Sequence, residues 1–399
     1  MSRPQQRADL LPDVDVDRLL DHLRGQRGEM EAELRRMAEA ESPTFEPDRQ
    51  EPVFDQLAEG LALAELEPRR FEGDISGGVM LATPRHRERG RPYQLLLGHT
   101  DTVWPVGTLE QMPVVVEGGK LRGPGVFDMK GGLVQMIFAL RALHDLEVRP
   151  RVAPVVFINS DEEESSKDSI RHIERLARYA DRAYVLEPGL GPSGKLKNAR
   201  KGTGRFRITI SGVRAHSGVE PEAGASAILA LSRVVQQLHE TSDPERGATL
   251  NVGIVEGGQR ANVVAPESEA RVDARSTSRE DVEWLLEKLR QLETGVPGTE
   301  MEIEGGFNRP PMEPTAGNNA LWRAARRVGR DLGLELEVGM SGGASDGNNA
   351  AQYTPTLDGL GAVGGGSHAP HEHVVLDAMP ERAALLALML LLPPTGELM

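Results

Sequence analysis

The stretch YQLLLGHTD, Tyr93 to Asp101, couples a short apolar run to a histidine and an acid two residues apart. A run as brief as Tyr93–Leu97, flanked by polar residues, reads as a strand. The pattern recurs at Val152–Ile158, and the helix-like segment Leu133–Leu143 lies between them, which is a βαβ rhythm. A third run, Ala183–Leu186, leads straight into Glu187. Strands alternating with helices predict a mostly parallel sheet whose chemistry gathers at the carboxyl ends of the strands.

Working outward, the segment Val16–Ala40 spaces Leu19, Leu20, Leu23, Met30, Leu34 and Met37 as one amphipathic helix, ended by Ser42 and Pro43. Near Arg200 the texture changes. Arg205–Ser211 sets Phe206, Ile208 and Ile210 against Arg205, Arg207 and Thr209, as a sheet with one wet face requires. A helix at Ala225–Glu240, strands at Thr249–Glu256 and Ser268–Arg275, a helix at Arg279–Leu292 and a strand at Glu300–Glu304 complete a β-α-β-β-α-β order. After Pro310 and Pro311 the first texture returns, with a helix at Ala320–Leu332. The expected fold class is therefore α/β: a mixed, mostly parallel sheet flanked by helices, from residues 1–199 and 312–399, with an inserted ferredoxin-like α+β domain at 200–311.

A chain of 399 residues exceeds what one core usually serves, which agrees with two domains. With 46 basic and 61 acidic residues, its net charge of -15 argues against a general nucleic-acid or anionic-membrane partner. The absence of cysteine excludes disulfides, thiolate zinc sites and a cysteine nucleophile, leaving histidine and carboxylates as metal ligands. The polar start, Met1–Val16, lacks the apolar core of a secretory signal, so a cytoplasmic location is expected. Ala383–Leu392, the most apolar stretch, is about half of what spans a bilayer and reads as a buried C-terminal helix.

The candidate chemistry sits at the strand ends. His99 follows the first run, and Asp101 is placed to hydrogen-bond the ring nitrogen that a metal leaves unused. Asp128 lies among the glycines of Gly123–Gly132, where backbone approaches an ion closely and an acid can bridge two metals. Asp161, Glu162, Glu163 and Glu164 follow the second strand; there one acid can bind metal while the next takes a proton from water, though chemistry alone does not fix the register. Glu187 closes the third run, and His368 follows Gly364–Gly366. Taken singly these are ordinary turn acids and local hydrogen bonds. Their common placement joins them into a set that suits a metal-assisted hydrolase.

Seven segments in order, GHTDTVWP (98–105), GPGVFDMKGG (123–132), NSDEEESS (159–166), LEPG (186–189), SGVRAHSG (211–218), SGGASDGNN (341–349) and GSHAPHEHV (366–374), resemble the co-catalytic zinc aminoacylase and carboxypeptidase family, metallopeptidase family M20, and most its glutamate carboxypeptidase branch. The resemblance spans nearly the whole chain. It implies a zinc exopeptidase-like catalytic domain and two Zn2+ per chain, with Co2+ or Mn2+ as other divalent ions. His99 and Glu187 would hold one ion, Glu163 and His368 the other, with Asp128 bridging. Glu162 would be the general base and Asp101 would orient His99. The inserted domain would dimerise through a sheet edge and a helix, and His216 would reach the partner's site to stabilise an oxyanion. Asn262 and Arg275 match positions that bind a substrate carboxylate, which an arginine can grip with two parallel hydrogen bonds. Gly343, in the loop 342–349, offers backbone amides as an anion nest.

Glu164 adds a third glutamate where the family commonly has another residue; Asp161 sets the register. His371 and His373 crowd His368, which the preceding glycine run favours. The expected function is release of a C-terminal amino acid such as glutamate from a peptide or N-acyl amino acid, with N-acyl amino acid deacylation (deacetylase or desuccinylase) or dipeptide cleavage as alternatives and a non-catalytic metal-binding relative behind them. The expected partners are a small-molecule or peptide substrate with a free carboxylate and a second copy of the chain, with neither nucleic acid nor membrane.

Overall fold

The computed structural model describes residue 11 and residues 14–88 and 90–399, so most of the polar start Met1–Val16 lies outside the described residues. The chain divides into two compact units, one of Met1–Ala199, Pro314–Ser341 and Ser345–Met399 and one of Arg200–Glu313 and Gly342–Ala344. The strands that matter below are, in chain order, β1 (Leu66–Phe71), β2 (Val79–Pro84), β3 (Tyr93–His99), β4 (Ala153–Asn159), β5 (Ala180–Val185), β6 (Gly202–Ser211), β7 (Thr249–Gly257), β8 (Glu267–Ser276), β9 (Glu300–Arg309) and β10 (Thr356–Leu357).

The larger unit is built on a six-stranded sheet in the order β1-β2-β4-β3-β5-β10. β3 pairs in parallel with β4 and β5, and β5 with β10, while β1 and β2 add an antiparallel edge. Every residue of β3 is buried, as a strand covered on both faces must be. Its one polar side chain in mid-strand is satisfied: Gln94 Nε2 donates to the carbonyls of Val152 (2.7 Å) and Leu390 (2.8 Å). The helices Gly131–Asp145 and Ile170–Ala177 make the crossovers from β3 to β4 and from β4 to β5. The first is buried almost all round and packs against the C-terminal helix Ala378–Leu390. That helix, expected from Ala383, begins five residues earlier, and no helix among the described residues is long and apolar enough to cross a membrane.

The amphipathic segment expected as one helix is two, Val16–Gly25 and Arg27–Glu39. Gln26, between Gly25 and Arg27, leaves the helical region (φ -94°, ψ 5°) at a place where nearby glycines lower helix propensity. The break still lets both pieces bury their leucines and methionines in the same core.

In the smaller unit four antiparallel strands lie in the order β7-β8-β6-β9, with helices Ala227–Thr241 and Arg279–Arg290, the ferredoxin-like arrangement. Phe206, Ile208 and Ile210 of β6 are buried and Arg205, Arg207 and Ser211 exposed, as the alternation requires. Serine hydroxyls cap both helices: Ser226 Oγ accepts from the Leu229 amide (3.2 Å) and Ser278 Oγ from the Asp281 amide (3.1 Å). β9 runs on to Arg309, past Gly305 and Gly306, where sequence alone suggests a stop; the pairing with β6 continues through an irregularity at Phe307–Arg309.

The register of the larger sheet positions the chemistry. His99 lies opposite Asn159 across β3 and β4, and Leu97 opposite Val185 across β3 and β5. Three neighbouring parallel strands thus end side by side, delivering His99, the turn Glu162–Glu164 and Glu187 to one edge. Gly132, at the start of the crossover helix, lets the chain close on this edge, since any Cβ there would collide with the Leu186 carbonyl.

Candidate metal centre

Seven of the sequence-predicted residues come together in the larger unit. His99 Nε2 lies 3.5 Å from Asp128 Oδ1 and 3.4 Å from Glu187 Oε1. His368 Nε2 lies 3.6 Å from the other Asp128 oxygen, Oδ2, and 3.3 Å from Glu163 Oε2. Asp128 therefore stands between two histidine–glutamate pairs. Donor atoms about 2.1 Å from one ion, at a tetrahedral angle, are about 3.4 Å from each other, which is the spacing of all four contacts. His99 Nε2 and Glu163 Oε1 are buried without a hydrogen-bond partner, and such atoms are costly unless something else engages them. Imidazole and carboxylate donors with no thiolate suit a divalent cation such as zinc. On both counts the residues fit two ions.

Around this core the supporting contacts are specific. His99 Nδ1 lies 3.0 Å from the Asp101 carbonyl and 3.3 Å from its Oδ1. Asp101 is wholly buried and also accepts from Thr44 Oγ1 (2.8 Å) and the amides of Glu162 (3.2 Å) and Glu163 (3.1 Å), so one carboxylate orients the histidine and the acidic turn together. Burial pushes the Asp101 carboxyl up, but the His99 ring and Thr44 outweigh it and hold it below the usual range. One donor atom each of His99, Glu162 and Glu187 lies within 4.8 Å of the others, which puts the Glu162 carboxylate beside the cluster.

The neighbouring acids take other duties. Asp161 accepts from the amides of Asp168 (2.7 Å) and Ser169 (3.2 Å) and from Ser169 Oγ (2.6 Å), and burial raises it to about 6. Glu164 pairs with Lys167 at 3.3 Å. His371 is exposed, and His373 Nδ1 lies 3.0 Å from the His371 carbonyl. His368 takes the left-handed backbone region (φ 58°) after its glycines, uncommon for a residue with a Cβ.

The model of peptidase family M20/M25/M40 matches residues 95–392. The chain belongs to this family. It is 29% identical over 306 residues to carboxypeptidase G2 of Pseudomonas sp. (strain RS-16), covering 75% of this chain and 73% of that protein. It is 30% identical over 307 residues to the succinyl-diaminopimelate desuccinylase of Delftia acidovorans, covering 72% and 78%. Its fold is that of aminopeptidase PepT from Bacillus cereus, with a TM-score of 0.77 at 22% identity over 91% of this chain and 98% of that one.

Four candidate residues of this M20 peptidase lie in the smaller unit. His216 is exposed and bridges Val263, so that Asn262, whose carbonyl accepts from the Ser217 amide (3.1 Å), lies beside it. Gly343 accepts at its carbonyl from Arg200 Nη1 (3.0 Å). Arg275 is paired along its own strand with Asp273, Nε donating to Oδ1 at 2.7 Å and Nη2 to Oδ2 at 2.9 Å. The two lie two residues apart on one face of β8, where their side chains meet.

Sequence reasoning missed Glu372. It is fully buried and both its oxygens are engaged, Oε1 by the amides of Phe127 (2.9 Å) and Asp128 (3.0 Å), Oε2 by the Gly125 amide (3.0 Å) and Trp104 Nε1 (2.9 Å). It clamps the loop that presents Asp128. The only signal was an acid between His371 and His373, in a segment read for its histidines.

Protons compete for this M20 site. Burial draws the His99 ring down, but Asp101, Asp128 and Glu187 together hold it well above the usual histidine range. The contact with Glu163 raises His368 to about 9. Below about pH 9 the His368–Glu163 pair retains a proton that an incoming cation must displace. Zinc affinity should therefore rise with pH up to about 9, about tenfold per unit for each proton displaced. Competition titrations against a chelator at pH 6, 7 and 8 check this; an affinity independent of pH would contradict it.

Proposed function

We propose that this M20 peptidase is a dinuclear zinc amidohydrolase, a carboxypeptidase that releases a C-terminal amino acid such as glutamate from a peptide or N-acyl amino acid. One observation carries the reading: Asp128 sits between the His99–Glu187 and His368–Glu163 pairs with the Glu162 carboxylate alongside. When bound, two divalent ions supply Lewis acidity toward the scissile carbonyl and lower the pKa of water. His99, Asp128 and Glu187 would hold one ion and His368, Asp128 and Glu163 the other. Glu162 accepts the proton of the attacking water on its carboxylate and returns it to the leaving amine nitrogen. Asp101 keeps His99 in one tautomer throughout by its contact at Nδ1.

Arg275 and Asn262 take the free carboxylate of the substrate, with Asp273 holding the guanidinium in place beforehand. The working form is a dimer in which His216 serves the partner's site as an oxyanion donor. The desuccinylase relative favours a second reading, N-acyl amino acid deacylation with the same metal core. Incubating the zinc-loaded protein with N-acyl amino acids and C-terminally varied dipeptides, and following free amino acid, separates the two. The carboxypeptidase reading expects peptides and N-acylglutamates to be cut with retention of C-terminal selectivity. Turnover of succinylated amines alone would replace it by the deacylase reading, and no turnover of any amide would overturn both.

A further inference from the structure

The acidic turn that follows β4 ends in backbone that side chains rarely adopt. After Glu162–Glu164, Ser165 and Ser166 both take the left-handed region, at φ 71° and 55°, which is uncommon for a residue with a Cβ. Two such serines in succession persist only where the surroundings over-determine them. A closed ring of buried hydrogen bonds does so here. The Ser166 amide donates to the Asp161 carbonyl (2.8 Å), and its hydroxyl donates to Asp346 Oδ1. The other Asp346 oxygen, Oδ2, accepts from Asn159 Nδ2 (2.8 Å), which also donates to Ser169 Oγ (2.8 Å); Ser169 Oγ in turn donates to Asp161 Oδ1 and closes the ring. Asn159, Asp161, Ser166 and Ser169 are wholly buried and Asp346 is 4% exposed.

Asp346 lies 180 positions beyond Ser166, in the segment SGGASDGNN, and its own place is fixed. Ser345 caps the short helix Asp346–Ala350: its amide donates to Asn348 Oδ1 (2.9 Å), while its Oγ accepts from the Gly347 amide (3.0 Å) and donates to Asp358 Oδ2 (2.8 Å). Asn159, the other group that Asp346 holds, is the last residue of β4 and lies opposite His99. One carboxylate thus joins the end of that strand to the far side of the turn that carries Glu162 and Glu163, whose amides Asp101 holds from the near side. We propose that Asp346 is a positioning residue for the proton acceptor: it keeps Ser165 and Ser166 in left-handed backbone and so aims Glu162 and Glu163 at the metal cluster. The inference rests on the amidohydrolase reading for the role of Glu162.

Asp346→Asn should lower kcat of the zinc-loaded protein by about 10- to 100-fold with little change in KM, as a slightly misplaced reacting group does. Ser166→Gly is the discriminating substitution, because glycine takes the left-handed region without the Cβ penalty. Added to Asp346→Asn it should recover about tenfold of the lost rate, whereas Ser166→Ala, which removes the same hydroxyl but keeps the Cβ, should recover none. Were Asp346 only a packing residue, removing a second member of the ring would deepen the loss with either substitution. A normal kcat in Asp346→Asn, or no gain from Ser166→Gly, overturns the proposal. If Asp346→Asn does not fold, the single variants decide: Ser166→Ala should lose about tenfold in kcat and Ser166→Gly distinctly less, and equal losses overturn it. Zinc affinity of the same proteins, taken by chelator competition well below their unfolding midpoints, needs no substrate. It should fall by about tenfold in Asp346→Asn, because Glu163 rides on the turn, and return with Ser166→Gly. That pattern in a chain that cuts no amide upholds the positioning and removes the hydrolase reading alone, whereas unchanged zinc affinity in such a chain overturns both.

Discussion

Glu162→Gln should lower kcat by roughly 100- to 10,000-fold, the usual worth of a positioned proton acceptor, while zinc content stays near that of the unaltered chain. The substitution keeps the shape of the side chain and leaves in place the tie of this residue to Asp101 through its backbone amide. Glu163→Gln is the contrast. It replaces a carboxylate that faces His368 at 3.3 Å and should cost metal as well as rate. Metal analysis beside steady-state kinetics separates the two roles, and a Glu162→Gln protein with near-normal kcat would remove this residue as the base. The same variant reads the proposed dimer. Mixed with His216→Ala chains, it should regain part of the lost activity, because one site of the mixed dimer then has both an intact Glu162 and an intact partner histidine; no recovery in confirmed mixed dimers counts against His216 acting across subunits.

What the sequence disclosed follows from what local patterns encode. β3 was legible because Tyr93–Leu97 is a short apolar run, and the ligands were legible because parallel strands deliver their ends to one edge. β1 was not: Leu66–Phe71 reads LEPRRF, in which proline and charge hide an edge strand whose one partner among the described residues is β2. The helix Pro47–Leu63 was hidden likewise, since Pro52 lies within it and its first turns are polar. At the site, residue types were readable but side-chain neighbours were not. Arg275 announces a carboxylate partner; that the partner is Asp273 depends on strand geometry. Glu372 is 244 positions from Asp128, and nothing local says that its oxygens reach the amide of that residue.

Glu372→Ala should therefore be the most damaging substitution away from the ligands themselves. Its carboxylate satisfies three backbone amides and the Trp104 indole, the bonds from Gly125 and Phe127 buried and those from Asp128 and Trp104 partly so. Each buried donor left without an acceptor costs about 1–3 kcal/mol, so the amides of Gly125 and Phe127 alone set a loss of about 2 kcal/mol at the low end, before any cavity is counted. Part of this is offset because burial raises the carboxyl above its ordinary pKa, meaning that the charge is itself held at a cost. Glu372→Gln should be milder in packing yet still harmful, because the amide presents one acceptor oxygen and one NH2 to a set made only of donors. Since the three amides belong to Gly125, Phe127 and Asp128, what loosens is the loop that aims both oxygens of Asp128, so both ions should be held more weakly, by about 10- to 100-fold. A general loss of stability would not by itself do this in protein that remains folded. Zinc affinity measured at a temperature well below the unfolding midpoint, beside a urea titration of each variant, makes the distinction. Normal affinity in a folded but destabilised Glu372→Gln protein would reduce Glu372 to a packing residue, whereas weakened zinc binding in that state identifies it as the clamp that sets the bridging carboxylate.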